Sequence, residues 1–165
     1  MKNIILIGMP GCGKSTVGVI LAKSLGFSFM DTDIRIAEKA SKPLQKIIDQ
    51  DGLEKFLQYE EEVGVKLDCS GYVIATGGSM VLSQKAMENL KKLGTIVYIK
   101  VPLDELENRL VNFKTRGIVR NKGESLEDIF NTRSVLYEKY ADVVVESEHD
   151  SILENTVNKI VDILA

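Results

Sequence analysis

The chain has 165 residues, 44% of them hydrophobic and 27% charged, which predicts one domain of ordinary size whose core needs no disulfide or metal staple. A net charge of −3 leaves no basic footprint for nucleic acid or an anionic membrane, and no run approaches the roughly 18 apolar residues of a membrane span. Cys12 and Cys69 fit neither a metal-ligand spacing nor a disulfide framework, so a reducing, cytoplasmic setting is expected.

Ile4-Ile5-Leu6-Ile7 is a short apolar, largely β-branched run, the pattern of a strand buried on both faces. A glycine-rich turn follows. Val17, Ile20, Leu21 and Leu25 then recur on a helical period over 15–25, and Gly26 ends that helix. Residues 27–30 read as a second strand leading into Asp31-Thr32-Asp33. From 34 to 67 the pattern is helical and charged, broken at Pro43 and Gly52. Residues 72–75 form a third strand, followed by Thr76-Gly77-Gly78-Ser79. A helix over 83–93 stops at Gly94, a fourth strand covers 95–101, and a helix covers 103–112. The stretch 114–124, with Gly117, Gly123 and little apolar pattern, reads as a mobile loop. A helix over 125–140, a strand over 143–145 and a helix over 151–164 complete the chain. Strands alternating with helices predict an α/β fold: a five-stranded parallel sheet sandwiched by helices. No repeat, linker or low-complexity segment interrupts 1–165, so a single domain is expected.

In open parallel sheets, ligands sit at the carboxyl ends of the strands. The turn at Gly8, the pair Asp31 and Asp33, and the segment from Thr76 to Ser79 all fall at that edge. Gly8-Met9-Pro10-Gly11-Cys12-Gly13-Lys14-Ser15 satisfies the pattern G-x-x-x-x-G-K-[ST] in full, between a buried strand and an amphipathic helix. Its glycines let successive backbone N–H groups turn inward around a phosphate, and the following helix aims its N-terminus at the same anion. Gly11, Cys12, Gly13, Lys14, Ser15 and Thr16 are therefore the candidate contacts to ATP. Lys14 is expected to reach the β- and γ-phosphates, and the Ser15 hydroxyl to ligate Mg²⁺. Asp31 and Asp33, two positions apart at a strand end, can serve different partners. One can help hold the metal through water and the other can take a hydrogen bond from a substrate hydroxyl; the alternative is an N-cap for the helix beginning at Ile34, and Asp33 can serve as both.

The succession of Gly8 to Thr16, Phe29-Met30-Asp31-Thr32-Asp33, Ala75-Thr76-Gly77-Gly78, Arg109 with Arg116 seven residues on, and Arg133-x-x-x-Tyr137 with Ala141-Asp142 resembles the shikimate kinase family over nearly the whole chain. The resemblance implies a P-loop fold related to the nucleoside monophosphate kinases, with substrate-binding helices over about 33–67 and a mobile lid over about 114–124. It implies that ATP and Mg²⁺ are used to phosphorylate a ring hydroxyl of a small molecule, shikimate, and a monomer is expected. By the same resemblance Lys14, Asp33 and Arg116 are catalytic. Asp31 joins Ser15 near the metal, and Asp33 binds and activates the attacking hydroxyl. Gly77 and Gly78 line the substrate pocket, Arg109 lies on the adenine, Arg116 reaches the phosphates from the lid, and Arg133 pairs with the substrate carboxylate.

The family's Gly-Glu-x-x-Phe-Arg-x-x-Glu reads here as Gly52-Leu53-Glu54-Lys55-Phe56-Leu57-Gln58-Tyr59-Glu60. Leu57 thus stands where the resemblance implies a second arginine on the carboxylate, a charge-assisted contact of about 1.5–3 kcal/mol. A pocket rebuilt around Leu57 for another small hydroxylated metabolite is the competing reading, and a nucleotide-dependent switch is a further one. Arg133 could alternatively form a surface ion pair with Glu138. Glu60, Glu61 and Glu62 read as a solvated face, although Glu60 matches a position of the family pattern, and His149 reads as a solvated loop residue.

Overall fold

The computed structural model describes residues 2–111, 118–147 and 153–165. Strands β1 (Asn3–Ile7), β2 (Ser28–Asp31), β3 (Tyr72–Ala75), β4 (Gly94–Lys100) and β5 (Val143–Glu146) form a parallel sheet in the order β2-β3-β1-β4-β5. All five residues of β1 are buried, as its unbroken apolar run requires of a central strand covered on both faces. Asn3 is the one polar member of that strand, and it is satisfied. Its Nδ2 donates to the carbonyls of Cys69 (2.7 Å) and Leu93 (3.2 Å), and its Oδ1 accepts from the Tyr72 N–H at 2.9 Å. One side chain thereby joins the amino ends of β1, β3 and β4.

The helices are α1 (Lys14–Leu25), α2 (Thr32–Ala40), α3 (Leu44–Asp51), α4 (Leu53–Lys66), α5 (Gln84–Leu93), α6 (Leu103–Val111), α7 (Leu126–Tyr140) and α8 (Leu153–Leu164). The helical stretch expected over 34–67 is three helices, divided where Pro43 and Gly52 predicted. Pro43 stands at the N-cap of α3, and Gly52 ends α3 and opens α4 with φ 87°. Helix α2 starts at Thr32, because the Asp31 carboxylate accepts from the Asp33 N–H at 2.9 Å and caps it. Ser125 begins α7 through a reciprocal capping box with Asp128. A 3₁₀ turn at Met80–Leu82, which the sequence pattern did not reveal, follows the glycine pair.

Two apolar clusters result. The larger is built on the sheet; the smaller gathers Ile36, Ile47, Phe56 and Val119 among α2, α3 and α4. Of the stretch expected to be a mobile loop, the described part from 118 is anchored: Ile118 packs on the larger cluster and Val119 is buried in the smaller one. Arg116 and His149 lie outside the described residues.

Candidate active site

The carboxyl edge of the sheet opens into one cleft of about 430 Å³. At one end lies the loop between β1 and α1. Gly11 (φ 82°) and Gly13 (φ 95°) adopt the left-handed conformation that lets the chain curl around an anion. Gly13 occupies the N-cap of α1 and no side chain caps that helix, so its first N–H groups are left to the cleft. Lys14 is buried, and its ammonium donates to the carbonyls of Gly8 (2.7 Å) and Met9 (2.9 Å), with the Cys12 sulfur at 3.6 Å. The Ser15 hydroxyl donates to the second oxygen of Asp31 at 2.7 Å. Asp31 therefore both caps α2 and meets Ser15, which brings the two expected metal-side residues together. Among the described residues, no group of three or more His, Cys, Asp or Glu could hold a metal by itself. A hydroxyl and one carboxylate beside a phosphate loop suit Mg²⁺, which takes few protein ligands and completes its shell with phosphate and water.

Cys12 is buried and touches no part of the cleft. Arg109 is outside the cleft too. Its Nε donates to Glu105 at 3.0 Å, and its Nη1 lies 3.4 Å from the carbonyls of Gly11 and Cys12, so the guanidinium rests on the outer side of the loop. Pro10, Gly11, Gly13, Lys14, Ser15 and Thr16 do line the cleft.

The other end of the cleft holds Asp33, Glu60, Gly77, Gly78, Ser79 and Arg133. The two glycines are needed for room. A methyl group on Gly78 would meet the Pro10 ring at 2.8 Å, so this turn abuts the phosphate loop directly. A methyl group on Gly77 would meet Glu60 Oε2 at 2.7 Å and Asp33 Oδ1 at 2.8 Å. The Gly77 N–H donates to the Thr32 hydroxyl at 3.1 Å, and the Gly78 carbonyl accepts from the Tyr137 hydroxyl at 2.6 Å. Arg133 is only 4% exposed and makes no surface pair with Glu138, which bonds Lys100 instead. Arg133 Nη2 donates to the Val119 carbonyl, and Nη1 has no hydrogen-bond partner among the described residues.

Glu60 matches a position of the family pattern, but its run of three glutamates reads as solvated and it is no candidate site residue from sequence. It is 2% exposed rather than solvated. Its Oε1 accepts from the Ser79 hydroxyl at 2.5 Å, while Oε2 has no partner among the described residues. Burial pushes its carboxyl up to about 7; Asp33 adds to the rise, against the Ser79 hydrogen bond and the charges of Arg133 and Lys14. Phe56, Glu60 and Gly64 are the buried residues of α4 and stand four apart, so the spacing that marks a buried helix face held the signal. Leu57 does not line the cleft. It is half-buried on the smaller apolar cluster, while Phe56 faces the cleft in its place.

Comparison with known proteins fits this geometry. The family model described as shikimate kinase matches residues 10–165. The shikimate kinase of Clostridium botulinum (strain Langeland / NCTC 10281 / Type F) is 38% identical over 157 residues, covering 93% of this chain and 92% of that protein. The mouse protein threonine synthase-like 1 is 37% identical over 169 residues; the match covers 99% of this chain, which spans only 22% of that longer relative. Among solved structures, a shikimate kinase from Acinetobacter baumannii in complex with shikimate superposes with a TM-score of 0.91 at 29% identity, covering 99% of this chain and 93% of that one. With its phosphate loop, its sheet order and this match over 10–165, the chain belongs to the shikimate kinase family.

Proposed function

We propose that the chain transfers the γ-phosphoryl group of ATP to a ring hydroxyl of shikimate. The observation that carries this reading is the single cleft shared by a phosphate loop at one end and by Asp33 and Arg133 at the other. Bound ATP·Mg²⁺ supplies the transferable group and a cation that spreads its charge. The chain contributes positioning and electrostatics. Loop N–H groups, the start of α1 and the Lys14 ammonium offset phosphate charge, and Ser15 with Asp31 forms the metal side. Asp33 accepts the proton of the attacking hydroxyl, and Arg133 holds the acceptor's carboxylate through Nη1, which has no partner among the described residues. Arg109 serves the nucleotide from behind the loop. The working unit is one kinase domain, a cytoplasmic monomer without nucleic-acid or membrane partners. Its two free thiols suit a reducing compartment, and among the described residues no helix is long and apolar enough to cross a membrane. The segment 114–124 acts as a lid with Arg116 as its phosphate contact; Ile118 and Val119 line the cleft, and closure of the segment over bound ligands would exclude water from it.

Shikimate-dependent release of ADP tests the proposal, and turnover with shikimate is the expected result. One observation favours a second reading, a kinase of another small hydroxylated metabolite: Leu57 packs on an apolar cluster where the family pattern has an arginine. Silence with shikimate and turnover with another alcohol in the same assay would transfer the assignment.

A further inference from the structure

The sequence pattern Arg133-x-x-x-Tyr137 lends Arg133 to the proposed function and leaves Tyr137 unused. The two residues stand four apart on α7, which puts them on one face of the helix, and both are buried. Tyr137 is fully enclosed, yet its hydroxyl donates to the Gly78 carbonyl at 2.6 Å. Burial pushes that phenol far above the ordinary tyrosine range, against the nearby charge of Arg133, so the hydroxyl keeps its proton and remains a donor at any working pH.

Three parts of the machinery meet around this one side chain. Gly78 lies on the turn after β3, packed so closely on the phosphate loop that a methyl group at 78 would meet the Pro10 ring at 2.8 Å. Arg133 rides on the same face of α7. The Tyr137 ring packs on Tyr98, with centroids 5.1 Å apart and planes tilted by 33°. Tyr98 belongs to β4 and stands in register with Ile7, the last residue of β1 before the loop. The ring is thus referenced to the strand that leads into the phosphate loop, and the hydroxyl to the turn that touches that loop at Pro10. Tyr137 itself does not line the cleft.

We propose that Tyr137 is a positioning residue: its hydroxyl ties the Arg133 face of α7 to the glycine turn and, through Pro10, to the phosphate loop, so that the acceptor and the γ-phosphoryl group are held in one alignment. A misplacement of about 1 Å costs on the order of 10² in rate, so such a tie is felt in turnover more than in binding. The inference rests on the reading of shikimate as acceptor.

The test compares wild type with Tyr137→Phe and Tyr98→Phe. Each variant removes one phenol oxygen from the same buried ring pair and keeps both rings, so a role in packing alone falls on the two alike. Circular dichroism and urea unfolding report the effect on the fold, and shikimate-dependent ADP release at varied ATP and shikimate reports kcat and each KM. Tyr137→Phe is expected to lower kcat by about tenfold or more with KM for ATP within about threefold, the pattern of an alignment reached only in the transition state. Tyr98→Phe should keep kcat within about twofold of wild type. A Tyr137→Phe enzyme with wild-type kcat overturns the proposal, and so does an equal fall in kcat in both variants. If Tyr137→Phe does not fold, Pro10→Ala takes its place, because it removes the ring on which Gly78 rests and leaves Tyr137 intact. The same fall in kcat is then expected, and an unchanged kcat overturns the proposal. Wild type silent with shikimate removes the functional reading itself, whereas an active wild type beside a fully active Tyr137→Phe removes this inference alone.

Discussion

Lys14 satisfies the carbonyls of Gly8 and Met9 with an ammonium that the phosphates also call for, so its side chain serves both the loop's shape and its charge. Lys14→Met keeps the aliphatic stem and removes the cation. It should lower kcat by about 10²–10³, as loss of a preorganised charge at the transferring group does elsewhere, while circular dichroism stays native. Near-normal turnover would remove Lys14 from the chemistry. Leu57 invites the opposite experiment. Its side chain packs on the smaller apolar cluster beside the cleft, so an arginine there could leave its stem in place and extend its head toward the site. If shikimate is the acceptor, Leu57→Arg should lower KM by about tenfold with kcat little changed, the mark of a new contact remote from the reacting hydroxyl. A fall in both kcat and stability would instead show an unpaired guanidinium forced into an apolar wall.

Helix α4 faces both the cleft and α5, and its buried stripe of Phe56, Glu60 and Gly64 shows how. Phe56 and Glu60 look into the site. Gly64 is where α5 comes closest: a methyl group at 64 would meet the Ala86 β-carbon at 2.6 Å and the Met80 sulfur at 2.9 Å. Gly64→Ala gains up to about 1 kcal/mol of helix propensity but forces apart two packed helices, a strain of about 1–3 kcal/mol. Overpacking should win, and urea unfolding should show a net loss. At the lid, amides of 118–124 should exchange more slowly once an ATP analogue and shikimate are added together, and unchanged protection would argue against closure over the ligands. Much of this was legible beforehand. The helical period of 3.6, the short β-branched runs, Pro43, Gly52 and the phosphate-loop pattern act locally, so they identify elements and the nucleotide end without tertiary information. Asp33 and Arg133 were found through the family pattern, and the cleft joins them. Glu60 matches a family position, yet a run of three glutamates reads as solvated until the fold brings Ser79 and the Gly77 turn against one of them. The cap on α2 went to Asp31 because its backbone is extended and its carboxylate can reach the Asp33 N–H, a geometry that sequence does not carry.

Burying Glu60 leaves a mark on the stability of the whole molecule. Its folded pKa of about 7 lies above the 4.5 of a free glutamate, chiefly through burial. Below pH 4.5 both folded and unfolded chains hold the proton, and no penalty applies. Between 4.5 and 7 only the folded chain holds it, so stability falls as pH rises, by about 3 kcal/mol in all. Glu60→Gln should remove that slope. In urea titrations from pH 4.5 to 8, the variant should gain on wild type by most of this amount, and a constant gap would assign Glu60 an ordinary pKa. Asn3 has a consequence of another kind. It ties β1 to Cys69, Tyr72 and Leu93, residues 66 to 90 positions later in the chain. The central strand has no sheet partner close in sequence. On a ribosome adding about 5–20 residues per second, Ile4-Ile5-Leu6-Ile7 therefore waits on the order of ten seconds for both flanking strands. During that interval the most apolar stretch of the sheet is bare backbone with nothing to pair with except another nascent copy of itself. Yield in a cell should thus depend on whatever shields the emerging chain more than on the stability of the finished fold.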